Sequence, residues 1–213
     1  MHNVMTMHEL LNKIMANQRD ECRKMIENSP SMVNKIANYE CAKTTALMFA
    51  ILHANADMPM CRLLITHRAD VNATYEWDER TPLHASVIHR SADLCHLLLE
   101  YGATVNTTDR RLMTSLHMAV MNSDITTTRL LVDYQADVNR QDNNGRTPLH
   151  HGVANRDDIC RFLIEQNADV NALDDDQFTP LDTALLDHPE DAPIVEYLQD
   201  AGATVNVMRL ECS

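Results

Sequence analysis

The sequence is poor in positive charge. It has 18 Lys and Arg residues against 31 Asp and Glu residues, which leaves a formal net charge of −13. Because affinity for nucleic acid comes mainly from clustered cations that contact phosphates, this balance argues against a DNA- or RNA-binding protein, and we expect no nucleic-acid partner. The deficit is greatest between Phe162 and Met208, where no Lys or Arg occurs. That segment is either a solvated acidic face or a surface that attracts basic partners.

Lysine is rarer than arginine and is confined to the first part of the chain. The lysines are Lys13, Lys24, Lys35 and Lys43, so the sequence after Lys43 has none. Two interpretations remain open. The first is avoidance of ubiquitin attachment, which would suit an adaptor beside a ubiquitin ligase or a pathogen protein inside a host cell. The second is compositional drift.

Long apolar runs and targeting segments are also missing. No window approaches the roughly 18 apolar residues that a membrane span requires. The N-terminal sequence MHNVMTMHELLNKIM has no basic flank that leads into an uninterrupted apolar core, as a secretion signal would. We therefore expect no membrane partner and a cytoplasmic location, which would be the host cell cytoplasm if the source is a pathogen.

The sequence motifs of common enzyme classes are absent as well. There is no glycine-rich phosphate loop, no HExxH motif and no GxSxG motif. The eleven histidines fall mostly where helix caps, turns or helix exteriors are expected. The sequence therefore predicts a protein that is not an enzyme and that holds no cofactor and no metal.

The sequence does contain a repeat with a period of about 33 residues. Its first marker is TPLH or a variant of it, which begins at Thr45, Thr81, Thr114, Thr147 and Thr179. Its second marker is ADVN or ATVN, which ends at Asn72, Asn106, Asn139, Asn171 and Asn206. A degenerate first copy ends at Asn34, so six copies account for nearly the whole chain.

The first marker has the chemistry of a helix start. Thr is a good N-cap, Pro at the first helical position loses no needed N–H, and a polar third residue can interact with exposed backbone donors. Asp182 stands where His150 stands in the preceding copy, so we expect His150 to be a cap rather than a catalytic group. His151 occupies a position that varies between copies, and we expect it to lie on the surface.

This pattern resembles the ankyrin repeat family, in which each unit is a turn followed by two antiparallel helices. The resemblance implies an all-α solenoid of about six helix-turn-helix units joined by β-turn or finger loops. We expect a single domain over residues 1–213, in which the first unit and the acidic last unit are caps and residues 207–213 are a tail. The expected units are 5–34, 41–72, 76–106, 109–139, 142–171 and 174–206.

The cysteines fit this arrangement better than they fit a metal site. Cys22, Cys61, Cys95 and Cys160 occupy the same position of the second helix in four units, which predicts a buried core position. Neighbouring units in such a stack lie roughly 10 Å apart, too far for disulfides, so free thiols and a reducing compartment are expected. Cys41 and Cys212 are the two that we expect to be exposed.

Glycine is scarce, with four residues in the whole chain. Ankyrin units usually place glycine between their two helices, but here the junctions carry Arg90, Ser123, Asn155 or Arg156, and His188. A left-handed Arg90 would cost about 1 kcal/mol relative to glycine, so we expect altered junctions. Extra residues at 55–60 and 188–193 lengthen two connections, and those two units should depart most from a regular stack.

The resemblance also implies where a partner docks, namely on the concave side formed by turn tips and the ends of the first helices. Glu76, Asp109, Asp142 and Asp174 precede the tips and are expected to form the turns. Trp77 is either an interface anchor or a ring folded against its own turn. The expected protein-binding residues are Trp77, Asp78, Arg80, Ile88, His89, Arg110, Arg111, Met113, Met121, Asn122, Asn143, Asn144, Arg146, Asn155, Asp175, Asp176 and Phe178.

These features together predict a noncatalytic protein-binding module that acts as a scaffold, inhibitor or adaptor and is monomeric on its own. The alternative is a host-directed effector of an intracellular bacterium or virus, or a substrate-recruiting adaptor of a ubiquitin ligase.

Overall fold

The computed structural model describes residues 6–39, 42–154, 157–189 and 192–206. In these residues the chain forms twelve α-helices, one 3-10 helix at Pro30–Asn34 and two short strands. The strands are β1 (Ala37–Tyr39) and β2 (Ala42–Thr44). The helices are α1 (Met7–Met15), α2 (Arg19–Asn28), α3 (Ala46–His53), α4 (Met58–Thr66), α5 (Pro82–Ile88), α6 (Ala92–Glu100), α7 (Ser115–Met121), α8 (Ile125–Asp133), α9 (Pro148–Gly152), α10 (Asp157–Glu165), α11 (Pro180–Asp187) and α12 (Pro193–Asp200).

The chain forms two compact units, an N-terminal half of residues 1–110 and a C-terminal half of residues 111–213. Each half contains three helical hairpins, and each hairpin corresponds to one copy of the sequence repeat. Within a half, the first helix of one hairpin packs against the first helix of the next, and the second helices pack in the same way. The expectation of an all-α repeat fold with helical hairpins is confirmed, and β1 and β2 add a small antiparallel pair before α3.

The first marker is a helix cap that also joins neighbouring repeats. In the fifth repeat, the N–H of Thr147 donates to Nδ1 of His150 over 3.1 Å, and the Thr147 hydroxyl lies 2.9 Å from the same nitrogen. Because Nδ1 accepts an N–H, it carries no proton, and the proton resides on Nε2. His150 Nε2 donates in turn to the carbonyl of Phe178 in the next repeat, at 3.1 Å. His117 makes the same two kinds of contact, and its Nε2 lies 3.2 Å from the carbonyl of Arg146.

The last repeat replaces this histidine by Asp182, and the replacement has a structural reason. Asp182 accepts the N–H and the hydroxyl of Thr179, both at 2.9 Å, so it caps the helix as His150 does. Its carboxylate also accepts the backbone N–H of Asn206 at 3.1 Å. A histidine here would present a donor to another donor, whereas the carboxylate accepts from the segment that closes the repeat. The predicted cap role of both residue types is confirmed.

The asparagine of the second marker links repeats on their other side. The side chain of Asn139 donates to the carbonyl of Asn167 at 3.2 Å and accepts the N–H of Asp169 at 2.7 Å. Asn72 makes the equivalent pair of bonds with Gly102 and Thr104. An amide is suited to this position because it carries one donor group and one acceptor group side by side.

The cysteines of the second helices are buried and free, as predicted. Burial raises the pKa of Cys22 to about 11 and that of Cys61 to about 12, so both are thiols rather than thiolates at neutral pH. In the third repeat, Cys95 lies 3.0 Å from the hydroxyl of Ser86 on the first helix of the same hairpin. Small side chains at both positions allow the two helices to approach closely. Cys41 and Cys212 lie outside the described residues.

The expected alteration of the helix junctions is wrong for Arg90 and Ser123. Their φ angles are +54° and +59°, so both adopt the left-handed conformation that glycine would take. The junction geometry is therefore retained at a conformational cost of about 1 kcal/mol for a residue with a Cβ. Asn155 and Arg156 lie outside the described residues.

The two lengthened connections do differ from the others. Asn55 and Ala56 both have positive φ, where Arg90 alone makes the turn in the third repeat. His188 is extended, with φ of −131° and ψ of 149°, and its Nε2 lies 2.9 Å from the carbonyl of Val153. At Asn55, Ala56 and His188 the backbone therefore departs from the single left-handed residue of the regular junctions.

Candidate functional site

The loops before α5, α7, α9 and α11 form fingers, and each finger has two parts. We call the acidic residue at the start of the loop, together with the Thr and His or Asp of the helix cap, the finger base. We call the two residues that follow the acidic residue the finger tip. The tips are Trp77 and Asp78, Arg110 and Arg111, Asn143 and Asn144, and Asp175 and Asp176.

The bases are buried and fully bonded in the fifth and sixth repeats. Asp142 Oδ1 accepts the N–H groups of Asn144 at 2.8 Å and Arg146 at 3.0 Å. Asp174 accepts the N–H groups of Asp176 and Phe178 in the same way, at 3.0 and 2.9 Å. Because each carboxylate folds the loop around itself, the predicted role of these residues as turn formers is confirmed.

Glycine is required at one point of these loops. Gly145 has a φ of +72°, and a Cβ there would lie 2.7 Å from the backbone nitrogen of Asp175. Both the left-handed backbone and the close approach of the next finger therefore exclude larger residues at this position.

His151 is not the variable surface residue that the sequence indicated. It is half-buried, and its Nε2 lies 2.8 Å from Oδ2 of Asp142. Burial opposes ionisation of Asp142, but the N–H of Asn144, the His151 ring and the N–H of Arg146 outweigh it and lower the pKa of Asp142. The sequence indicated otherwise because the partner of His151 lies in the loop that leads into its helix and not on the helix itself.

Glu76 also departs from its predicted role as a turn former. It is exposed, and its carboxylate accepts both the backbone N–H and the ammonium group of Lys43, each at 3.0 Å. In the same finger, a backbone bond of 2.8 Å from Tyr75 to the carbonyl of Arg80 closes the loop instead. The aligned Asp109 is buried and forms an ion pair of 3.5 Å with Arg80.

The finger tips of the C-terminal half form a continuous row. The N–H of Asn143 donates to the carbonyl of Arg111, and the N–H of Asp175 donates to the carbonyl of Asn144, both at 2.9 Å. The side chains of Arg111, Asn143, Asn144, Asp175 and Asp176 are all exposed. Along this row the tips change from basic, through neutral amides, to acidic.

Leu112 follows the first tip of this row and is a site residue that sequence reasoning missed. Its side chain is 47% exposed, and its backbone has a φ of +56°. It occupies the position of Gly145 and Gln177 in the next two fingers, which also have positive φ. The leucine side chain is therefore only partly removed from solvent. Alignment of the repeats could have identified it, because it is an apolar residue at the position that glycine occupies in the next finger.

The finger of the third repeat, in the N-terminal half, carries the exposed tryptophan. Trp77 is 58% exposed. Arg110 lies against this finger: its backbone N–H donates to the carbonyl of Asp78 at 2.9 Å, and its guanidinium donates to the carbonyl of Glu76 at 3.2 Å. Arg110 also pairs with Glu79 at 3.4 Å. The expected anchor Arg110 is therefore exposed but is part of the finger's own structure.

The ends of the first helices expose apolar side chains beside the fingers. In the N-terminal half, Ile88 is 42% exposed and His89 is half-buried. In the C-terminal half, Met121 is 49% exposed, Leu186 is 68% exposed, and Asn122 is half-buried.

The remaining expected residues are less accessible. Phe178, one of the expected protein-binding residues, is buried, with 8% exposure. Its N–H and carbonyl are both used within the finger bases, which draws the residue inwards. Asp78, Arg80, Met113 and Arg146 are half-buried, and Arg146 pairs with the buried Asp174 at 3.2 Å. Asn155 lies outside the described residues.

Several observations bear on other kinds of site. An open cleft between the loops of the C-terminal half is lined by Asn139, Gln141 and Leu173, among others. In the part of the chain that the structure describes, no group of three or more His, Cys, Asp or Glu residues could hold a metal ion. None of the described helices is long and apolar enough to cross a bilayer.

Comparison with known families decides the identity of the fold. A family model described as ankyrin repeats in three copies matches residues 10–109 and 116–209, and a second model, for ankyrin repeats in many copies, matches residues 89–132. The chain belongs to the ankyrin repeat family. Ankyrin repeats are generally protein-protein interaction modules without catalytic activity. No curated protein matches the sequence.

Because the chain belongs to the ankyrin repeat family, its fingers and first-helix ends are the surfaces to compare with the expected binding residues. The exposed tips differ in chemistry from one ankyrin repeat to the next, whereas the bases of the fifth and sixth repeats share the same carboxylate-to-backbone bonds. The expected binding residues that this structure leaves most accessible are Trp77, Ile88, Arg110, Arg111, Met121, Asn143, Asn144, Asp175 and Asp176.

Proposed function

We propose that this ankyrin repeat protein is a noncatalytic scaffold, inhibitor or adaptor that binds a protein partner through its finger tips and first-helix ends. The observation that carries the proposal is the exposure of Trp77 at a finger tip, where 58% of its surface contacts solvent. Tryptophan is enriched among the residues that dominate binding energy, and its indole offers a docking partner a large apolar area together with an N–H donor.

Neighbouring features support the same face. Ile88 exposes an apolar side chain at the end of α5, and Arg110 holds the finger of Trp77 through bonds to Glu76 and Glu79. A finger that is fixed before binding loses little conformational entropy when a partner docks. An interface of standard size would bury about 800 Å² on this chain.

The test is affinity capture from cell lysate with wild-type chain and with Trp77→Ala, followed by affinity measurements on each protein recovered. Trp77→Ala should weaken binding at least tenfold, because an aromatic anchor commonly contributes 2 kcal/mol or more. Arg110 is left intact, since its replacement would remove bonds that hold the finger.

The matched control is Tyr101→Ala. Tyr101 is an aromatic residue of similar exposure, 48%, but it lies at the end of a second helix. Binding should persist in this variant, and both variants should keep the helical content and melting temperature of the wild type. Equal losses of affinity in the two variants would refute the proposed face.

A second candidate function is substrate recruitment to a ubiquitin ligase, or action as an effector inside a host cell. The observation that favours it is the absence of lysine after Lys43. Exposed arginines such as Arg62 and Arg140 can be changed to lysine without altering charge. If the lysine-free body protects the chain, Arg62→Lys and Arg140→Lys should increase its ubiquitination and shorten its lifetime in cells. An unchanged lifetime would eliminate this candidate.

We also propose a cytoplasmic location, or the host cell cytoplasm if the source is a pathogen. Cys22, Cys61, Cys95 and Cys160 are all free thiols, which suits a reducing compartment. Fractionation of cells that express the tagged chain tests this location, and recovery in a secretory compartment would contradict it.

A further inference from the structure

We infer that the finger tips of the C-terminal half bind an extended segment of a partner protein that carries basic residues at one end, an acidic residue at the other and an apolar residue near the acidic end. This inference rests on the proposed function and specifies the partner's chemistry. We call the surface concerned the tip row, which consists of Arg111, Leu112, Asn143, Asn144, Asp175 and Asp176.

The tip row has a charge order along its length. Arg111 lies at one end, Asn143 and Asn144 lie in the middle, and Asp175 and Asp176 lie at the other end, all of them exposed. The sequence has no Lys or Arg between Phe162 and Met208, so the acidic end has no compensating cation within its own repeat. Opposite charges at the two ends of the row favour a partner segment whose charges have the complementary order. They disfavour a segment with the reversed order of charges, because like charges repel.

The spacing of the row limits the partner to a short extended segment. Two backbone bonds of 2.9 Å join Arg111 to Asn143 and Asn144 to Asp175. Two such steps and one residue of chain span about 15 Å, which an extended segment covers with about five residues. The exposed amides of Asn143 and Asn144 face the middle of that length, where they can bond the backbone of an extended chain.

Leu112 supplies the apolar contact. It is 47% exposed in a left-handed conformation, and Gln177 shows that a polar residue fits the equivalent position. The combination of backbone strain and an exposed apolar side chain at Leu112 points to a contact outside its own finger. Replacement by glycine separates binding from folding, because it relieves the strain and removes the side chain together.

The test is selection of random 12-residue peptides displayed on phage against the full-length chain, followed by affinity measurements with synthetic copies of the enriched peptides. Enriched peptides should carry clustered Lys or Arg and an Asp or Glu about five residues away. The variant Arg111→Glu with Asp176→Lys should bind them at least tenfold more weakly. Asp175 is retained because it packs against Gly145.

Two further variants complete the design. Leu112→Gly should weaken peptide binding several-fold while the melting temperature rises by about 3 °C. Arg140→Glu with Asp200→Lys makes the same exchange of charges at exposed positions away from the tips, and it should leave affinity unchanged.

Four outcomes would overturn the inference. The first three are failure to enrich any peptide, enriched peptides with no charge order, and enriched peptides that bind the Arg111→Glu, Asp176→Lys variant as tightly as the wild type. The fourth is a salt-sensitive dimer of the wild type that this variant abolishes, which would favour a second copy of the chain as the partner. Each of these results leaves the role of Trp77 intact, since that role is measured on a different finger by capture of whole proteins.

Discussion

The base and the tip of each finger lie a few residues apart, yet they differ in almost every physical respect. At the bases, Asp142 and Asp174 are buried and their carboxylates accept backbone N–H groups. At the tips, Asn143 and Asp175 are exposed, and their backbones alone join one finger to the next. A buried polar group must keep its partner, so the base is restricted to a few residue types. The side chains of Asn143 and Asp175 are exposed, so they can vary and can specify a partner.

The two residue types at the helix cap also show how the finger base is restricted. His150 and Asp182 differ in charge and shape, but both accept from the threonine at the start of their helix. They differ in what they offer on the far side, where His150 donates and Asp182 accepts. The base therefore tolerates substitution only where the neighbouring segment changes its own hydrogen-bonding group to match.

The largest expected effect on stability comes from replacing a histidine of a finger base. His117→Ala removes the acceptor for Thr114 N–H and the donor to the Arg146 carbonyl, and it leaves a cavity in a buried site. We expect the free energy of unfolding to fall by about 3 kcal/mol, measured by urea denaturation. Asn144→Ala at a tip should change it by less than about 0.5 kcal/mol. Similar losses of unfolding free energy in the two variants would contradict the distinction between finger base and finger tip.

The next effect is a dependence of stability on pH that originates at the finger bases. Burial, with a further contribution from His151, lowers the pKa of His117 from 6.5 to about 4. Its stabilising contribution is therefore complete above pH 6.5 and is lost as the pH falls from 6.5 through 4, because only the unfolded chain takes up the proton in that window. The loss from His117 amounts to about 3 kcal/mol.

The variant His117→Gln separates this effect from the carboxylates, since glutamine does not titrate. Urea denaturation at pH 7, 5.5 and 4.5 should show a clearly smaller decline for His117→Gln than for the wild type. The pKa of Asp142 is lowered from 3.8, so its contribution is lost only at more acidic pH. Parallel curves for the two proteins over this window would contradict the role of His117.

A smaller effect is expected at the loops on the other side of the repeats. Asn139→Ala removes the bonds to the Asn167 carbonyl and the Asp169 N–H, but water can replace both because the site is exposed. Unfolding free energy should fall by about 1–2 kcal/mol. Asn143→Ala is the matched control at a tip, and its stability should equal that of the wild type.

The smallest effect is a gain. Ser115 is fully buried, and its hydroxyl has no hydrogen-bond partner among the described residues. The equivalent residues Pro82, Pro148 and Pro180 show that proline fits the first helical position. Thr114 is already extended, with ψ of 168°, as a residue before proline must be. Ser115→Pro should raise the unfolding free energy by about 1 kcal/mol, seen as a higher melting temperature.

Much of the fold could be predicted because its rules act over short distances along the chain. The cap at Thr147 and the buried position of Cys61 follow from residue types at fixed offsets, and the structure confirms both. The candidate site was less predictable. Trp77 and Arg111 are exposed as expected, but Phe178 is buried and Leu112 was missed. Each finger is covered or left open by a neighbour about 30 residues away, and no local pattern contains that information.

The sequence by itself determined the period, the helix starts and the position of the buried thiols, because capping and core packing within a hairpin depend on residues within one repeat. The tertiary structure alone decided which finger residues are exposed, that His151 meets Asp142, and that Asn139 joins two loops. The Asn139 bonds form between repeats, and the His151–Asp142 contact joins a helix to the loop that precedes it in the same repeat. Both depend on how closely the packed elements approach, which tertiary packing sets and residue types at fixed offsets within one copy do not.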